Sequence, residues 1–128
     1  MAFMSAPSRS GVSVRVARME DIAACGPICH TAFHEINTRH NFPPDLPSAE
    51  AAGGILTQMF SHPRFYCVVA EVDGKVAGSN CLDERSPIAG VGPITVDPSV
   101  QNRGVGRMLM QAVIERALAR HSPGIRLV

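Results

Sequence analysis

The segment "ITVDPSVQNRGVGRMLMQAV", residues 94–113, restricts the fold of this chain more than any other part of the sequence. A β-branched run ends at an Asp-Pro pair, and an amphipathic helical pattern begins around Gly104 and Gly106. Strand, glycine-rich turn and helix in this order favour an α/β fold in which a helix crosses between two strands. The first N–H groups of a helix lack partners, and glycine lets an anion approach the backbone. The segment is therefore either a local phosphate site or an ordinary loop.

The remaining periodicity predicts a mixed, mostly antiparallel sheet flanked by helices. The Asp-Gly pair at residues 73–74 is a strong hairpin signal between two of the strands. Pro27 is expected to kink or split the first helix, and Pro93 to create an edge, bulge or splay in its strand. A loop is expected at 37–48, with Ser48 as the N-cap of the second helix. The predicted strands are 12–17, 65–72, 75–84, 88–96 and one starting at 125; the predicted helices start at 19 or 20, at 49 and at 104.

Composition narrows the classes of protein further. Hydrophobic residues make up 45% of the 128 residues, which is enough for the core of one domain. The formal net charge of +1 argues against nucleic-acid binding, which needs a concentrated basic surface. The first residues lack the apolar region of a signal peptide, and no run is long enough to span a bilayer. We expect a flexible tail at 1–11, a single domain at 12–128, and a soluble, cytoplasmic protein without a membrane partner.

The common nucleotide motifs do not fit the glycine segment. A P-loop needs a lysine after its second glycine, and the dinucleotide fingerprint needs a third glycine and a later acidic residue. The pattern that fits is Q-x-x-G-x-G, formed by Gln101, Gly104 and Gly106 and preceded by "ITVDP". In this context, with the hairpin "AEVDGKVAG" and the order of elements, the chain resembles the GNAT superfamily of acyl-CoA N-acyltransferases from about residue 12 to 128.

The resemblance implies a fold, a cosubstrate and a set of binding residues. It implies that acetyl-CoA binds with its pyrophosphate on the loop amides and its pantetheine arm along the strand before the loop. It also implies that a strand amide polarises the thioester while a primary amine attacks directly, without a covalent enzyme intermediate. The residues expected to bind acetyl-CoA are Ile94, Thr95, Val96, Gln101, Asn102, Arg103, Gly104, Val105, Gly106 and Arg107.

Several side chains are candidates for the remaining chemistry. Glu84, at the end of a predicted strand, is a candidate general base, although a solvated charge is the more usual role of such a residue. His34 and Glu35 would line the acceptor side, as that region does in the family. His30 and His34 are spaced to share a helix face, but no third ligand is apparent, so no metal site is predicted.

Tyr66 and the cysteines are not given catalytic roles. Tyr66 does not match the family's general acid, which lies beyond the last strand begun here. The four cysteines match no zinc motif, and we interpret them as reduced thiols packed in helices and strands. A nucleophilic role for Cys67 or Cys81 is the less favoured alternative.

The resemblance stops at the start of the fifth predicted strand, where the family continues with a helix and two more strands. Three explanations are open: a fragment of a longer protein, completion by a second copy as a homodimer, or a degenerate domain that binds CoA without turnover. We favour the fragment. Two functions follow, an acetyl-CoA-dependent N-acetyltransferase or a non-catalytic CoA-binding module, and the amine cannot be read from the sequence.

Overall fold

The computed structural model describes residues 11–39 and 48–127. Six strands and three helices occur in these ranges. The strands are β1 (Val12–Val16), β2 (Phe65–Val72), β3 (Lys75–Asp83), β4 (Ile88–Val91), β5 (Thr95–Val96) and β6 (Gly124–Leu127). The helices are α1 (Ile22–Arg39), α2 (Ala49–Ser61) and α3 (Val105–Ala119).

The sheet has the order β1-β2-β3-β4-β6, and β5 pairs with β3 beside β4. All pairs are antiparallel except β4 with β6, which α3 connects as a parallel crossover. The mixed, mostly antiparallel sheet predicted from the sequence is therefore confirmed.

Alternation along β2 separates two cores. Val68 and Ala70 pack with Leu109 and Val113 of α3 in one core, whereas Val69 packs with Leu56 of α2 in the other. Because successive strand residues point to opposite faces, α3 covers one face of the sheet and α2, with α1, covers the other. The helices therefore flank the sheet as predicted.

The start of α1 is fixed by a buried ion pair. Asp21 is buried and accepts hydrogen bonds from the Arg15 guanidinium at 2.8 and 2.9 Å and from the Arg18 N–H at 2.7 Å. Burial alone would raise the pKa of Asp21, but these hydrogen bonds outweigh it and hold the pKa below its ordinary value. A short 3₁₀ turn at Met19–Asp21 therefore precedes α1, where the sequence predicted the helix itself.

Three sequence predictions about helices are resolved. Pro27 lies inside one continuous helix rather than splitting it, since its missing N–H removes only one bond, to residue 23. Residues 37–39 are helical although a loop was predicted there, and the rest of that loop, 40–47, lies outside the described residues. Ser48 caps α2, because its hydroxyl accepts a hydrogen bond from the Ala51 N–H at 3.1 Å. The flexible tail predicted at 1–11 also lies outside the described residues, except for Gly11.

Candidate active site

The strand predicted at 88–96 is interrupted in its middle. From Leu82 to Ser79, β3 advances three residues, whereas its partner advances four, from Val91 to Thr95. One extra residue is therefore accommodated between β4 and β5, where the Gly92–Pro93 peptide bond is cis. The irregularity predicted from Pro93 is confirmed, but the segment forms two short strands rather than one.

The interruption leaves one edge of β5 without a strand partner among the described residues. The Asp97 N–H donates to the Ala77 carbonyl at 2.7 Å, which makes this a hydrogen-bonded pair of the β3–β5 ladder. Antiparallel pairing alternates, so Thr95 also faces β3. Val96 therefore directs its N–H and C=O groups, and Ile94 its C=O group, to the outer edge. This outer edge is available for an extended ligand.

The glycine loop, residues 101–107, connects this strand to α3. Pro98–Arg103 form tight 3₁₀ turns, begun by the Asp97 side chain, which accepts from the Ser99 N–H at 3.0 Å. Gly104 then adopts the left-handed conformation with φ of 80°, which glycine tolerates best. No side chain that the structure describes caps α3, so its first-turn N–H groups after Gly104 keep the donor capacity that an anion needs.

A cavity of about 460 Å³ borders both features. It lies between α1, the β5 segment and the glycine loop, and it brings together residues that the sequence assigned separately to cosubstrate and acceptor. Its lining residues are Ala32, Glu35, Ile94, Thr95, Val96, Gln101 and Gly106.

The two arginines of the glycine loop differ in their surroundings. The Arg103 guanidinium lies 3.4 Å from the Asp73 carboxylate in the β2–β3 turn, so it is shared with an acidic neighbour. Arg107 is exposed on the first turn of α3 and forms no ion pair with a described residue. The backbone of Asn102 lies in the 3₁₀ segment. The loop therefore offers mainly backbone donors, with Arg107 as the more accessible cation.

His34 and Glu35 were both predicted on the acceptor side, and the structure separates them. Both side chains are exposed, but Glu35 lines the cavity, whereas His34 stacks on His30 with ring centroids 6.0 Å apart. Among the described residues, no group of three His, Cys, Asp or Glu side chains could hold a metal ion. Glu35 is therefore the better-placed candidate for contact with an acceptor.

Glu84 does not reach this cavity. Its buried carboxylate accepts from Arg116 at 2.8 Å and from Arg120 at 3.2 Å, near the end of α3. Arg116 lies ten residues beyond Gly106, which is about 15 Å along the helix. A general base must come within hydrogen-bond reach of its substrate, so this placement argues against the base role suggested by the sequence.

Tyr66 belongs to the same cluster as Glu84, with the Arg116 guanidinium 4.7 Å from its ring centroid. Burial raises the pKa of Tyr66, and nearby Glu84 adds to the effect. Tyr66 is not among the described residues that line the 460 Å³ cavity. Its position agrees with leaving the family's general-acid role unassigned.

We expect Glu84→Gln to lower the free energy of unfolding by about 2 kcal/mol, because two arginines lose their carboxylate partner beside a largely buried side chain. Arg116 and Arg120 are partly exposed, so solvent limits the loss. Urea denaturation measures this effect. Any acetyl transfer should be retained in the folded variant. Loss of turnover with unchanged stability would restore the base assignment.

The four cysteines are buried thiols in the core between α1, α2 and the sheet. Burial raises the pKa of Cys25 to about 12 and that of Cys29 to about 11. A hydrogen bond with Cys67, which lies directly opposite on β2, raises the pKa of Cys81, and burial adds to it. Thiols with raised pKa values are poor nucleophiles at neutral pH, which supports the interpretation of Cys25, Cys29 and Cys81 as packing residues. Cys67 is interpreted in the same way because it is buried.

All four cysteines should resist iodoacetamide at pH 8 in the folded protein and react fully in denaturant, because only the exposed thiolate reacts quickly. Intact mass before and after unfolding measures the modification. Rapid single modification of native protein at Cys67 or Cys81 would contradict the packing interpretation.

Two positions on β3 that sequence reasoning did not assign lie beside the interruption. Asn80 is fully buried opposite the extra residue; its side chain donates to the Leu109 carbonyl at 3.3 Å and accepts from the Cys81 N–H at 2.9 Å. Gly78 allows close approach, since an added Cβ would lie 2.6 Å from the Thr95 carbonyl oxygen. A polar residue and a glycine inside a strand were the available signals.

The fold of this chain has counterparts among solved structures. It is similar to a GNAT family acetyltransferase from Brucella melitensis in complex with acetyl-CoA, at 19% identity and a TM-score of 0.71, covering 93% of this chain and 76% of that one. It is also similar to the PaiA N-acetyltransferase from Thermoplasma acidophilum in complex with coenzyme A, at 13% identity and a TM-score of 0.72, covering 91% and 77%. A third similar structure is a ribosomal-protein-alanine N-acetyltransferase from Brucella melitensis biovar Abortus 2308. Its sequence identity is 16% and its TM-score is 0.67, and the match covers 91% of this chain and 78% of that one.

Residues 30–128 match the acetyltransferase (GNAT) family, and the chain belongs to that family. The resemblance inferred from Gln101, Gly104 and Gly106 is confirmed. No curated protein matches the sequence significantly. Among the described residues, no helix is both long enough and apolar enough to cross a membrane.

Proposed function

We propose that this protein binds acetyl-CoA in the 460 Å³ cavity and transfers the acetyl group to a primary amine. The observation that carries the proposal is the junction of two sets of backbone donors. The outer edge of the β5 segment leads, through the glycine loop, into the uncapped N-terminus of α3. Family membership and the acetyl-CoA or CoA found in two similar structures support it.

The two sets of donors suit the two halves of the cosubstrate. The N–H groups that follow Gly104 meet the charge of a pyrophosphate, while the outward groups of Ile94 and Val96 pair with the amides of a pantetheine arm. An N–H on the same edge donates to the thioester carbonyl oxygen and stabilises the negative charge that develops there as the amine attacks. The amine loses its ammonium proton to solvent, and its nitrogen then forms the new bond to carbon. The carbon–sulfur bond breaks, and the thiolate takes up the proton that the new amide nitrogen releases, so CoA leaves as the thiol.

Glu35 is the titratable side chain in the cavity lining, and we assign it to the acceptor. Its carboxylate attracts a protonated amine towards the thioester through opposite charge. The negative charge of Glu35 favours a small-molecule or peptide amine as the acceptor over an anionic substrate.

The alternative is a CoA-binding module without turnover. It is favoured by one observation: Glu35 is the sole titratable residue of the cavity lining in the described part of the chain, and Tyr66 lies elsewhere. A module of this kind would bind acetyl-CoA through the same backbone donors.

Thiol release from acetyl-CoA with a panel of polyamines, amino sugars and peptides distinguishes these functions. An acetyltransferase should release thiol in an amine-dependent, saturable manner, and mass spectrometry should find the acetylated amine. Saturable acetyl-CoA binding with no thiol release for any amine would favour the binding module. Absence of both would reject the proposed function.

A further inference from the structure

A second cavity, of about 240 Å³, lies at the other end of α3 from the glycine loop. It is formed where β2 begins, β3 ends and α3 turns into β6. Its lining residues are Arg64, Glu84, Arg85, Ser86, Pro87, Ala89, Arg120, His121, Ser122 and Pro123. The proposed acetyltransferase function does not use this cavity.

Positive charge is concentrated around the second cavity. Arg64, Arg85 and Arg120 line it, Arg116 shares the carboxylate of Glu84, and Arg126 acts electrostatically on Asp83. Among the described residues that line the cavity, the three arginines face one carboxylate, that of Glu84, which leaves an excess of two positive charges. The whole chain carries +1, so the rest of it carries a net charge of −1.

The Glu84 side chain and the Glu84 backbone each hold one of these guanidinium groups in place without using all its donors. Arg120 donates to Glu84 at 3.2 Å through one nitrogen, and Arg64 donates to the Glu84 carbonyl at 3.0 Å through another. A guanidinium has five N–H donors in a rigid planar fork, so each retains donors for a further oxygen. The half-buried Ser122, which also lines the cavity, adds a hydroxyl.

Acidic side chains near the cavity do not cancel its attraction for an anion. Arg116 and Arg120 share the Glu84 carboxylate, and Arg85 binds Asp83 through both oxygens at 2.8 and 2.9 Å. Fixed arginines in this arrangement suit the tetrahedral oxygens of a phosphate group, which arginine binds at two points. The guanidinium groups would repel an ammonium ligand, and an apolar ligand would leave their N–H donors without acceptors.

We propose that this second cavity binds a phosphate group, either free or carried by a small metabolite, at a place distinct from the glycine loop. Arg64 and Arg120 contact the phosphate oxygens, and Arg85 supplies charge at the rim. Glu84 is the positioning residue, because it fixes Arg120 and the neighbouring Arg116. This site is independent of the proposed acetyl transfer and stands whether or not the chain is an active enzyme.

Inorganic phosphate titrated into the full chain at constant ionic strength tests the proposal, with backbone amide NMR shifts as the readout. Saturable shifts should occur at residues 85–86 and 120–124. Arg120→Gln and Arg64→Gln should each weaken binding about tenfold, because each removes a charged hydrogen-bond donor. Arg120→Lys should weaken it less, since charge is kept. Arg18→Gln removes one positive charge at an exposed position elsewhere and should leave the affinity unchanged.

The glycine loop needs its own control, because it also attracts phosphate. Gly104→Asp should leave the shifts at 85–86 and 120–124 unaltered. Glycerol 3-phosphate in a parallel titration separates a monoester from free phosphate, and saturation by either supports the site. Linear, unsaturated shifts in both titrations would overturn the proposal, as would binding lost in Gly104→Asp and kept in folded Arg120→Gln and Arg64→Gln.

Discussion

Gly104→Asp is expected to weaken acetyl-CoA binding at least about 100-fold. The substitution places a carboxylate at the N-terminus of α3, where the pyrophosphate would lie. Two unit charges at about 4 Å near a protein surface repel by about 4 kcal/mol, which exceeds the 2.7 kcal/mol that 100-fold requires. An added Cβ meets no atom within 4 Å, so the effect comes from charge rather than from steric overlap. Isothermal titration calorimetry measures it.

Two control variants separate charge from backbone strain. Gly104→Ala keeps the site neutral and carries only the cost of a non-glycine residue at φ of 80°, so its affinity should fall much less. Gly54→Asp adds the same charge on the exposed side of α2, where nothing lies within 4 Å, and should bind like the unaltered chain. Equal affinities for Gly104→Asp and Gly104→Ala would refute the assignment of the glycine loop.

Gly78→Ala is expected to destabilise the fold by about 2 kcal/mol and to weaken acetyl-CoA binding about tenfold. The new Cβ would lie 2.6 Å from the Thr95 carbonyl oxygen and 3.1 Å from Leu109 Cδ1. The first neighbour is backbone, so β5 must move away from β3, and overpacking of this kind costs about 1–3 kcal/mol. Displacement of β5 also shifts the outer edge formed by Ile94 and Val96. Urea denaturation and calorimetry measure the two effects.

Gly54→Ala is the matched control for this second prediction. Its Cβ enters open space inside α2, where alanine is preferred over glycine by about 1 kcal/mol, so this variant should be somewhat more stable. If Gly78→Ala kept both the stability and the affinity of the unaltered chain, the close contact between β3 and β5 would not determine the site.

The glycine loop was the part of the site most accessible to sequence reasoning, because its signals are local. Gln101, Gly104 and Gly106 stand within six residues, and glycine at a helix start has a specific backbone meaning. Pro93 indicated the interrupted strand for a similar reason, since it removes a ladder donor. The mixed sheet followed from hydrophobic alternation and the Asp-Gly turn.

What sequence reasoning missed depends on contacts between distant residues. Glu84 resembled a free carboxylate at a strand end until the fold brought Arg116 and Arg120, more than thirty residues away in the chain, into contact with it. The second cavity likewise joins residues near 64, 85 and 121 that no local pattern connects. Asn80 was missed because its role follows from the one-residue shift between β3 and its neighbours.

An amide NMR titration of the unaltered chain with acetyl-CoA tests the central claim most directly, because it reports where the cosubstrate binds. The account predicts saturable shifts that are largest at residues 94–96 and 101–107, with smaller changes near Glu35. Absence of saturable shifts, or shifts centred away from the β5 segment and the glycine loop, would contradict it.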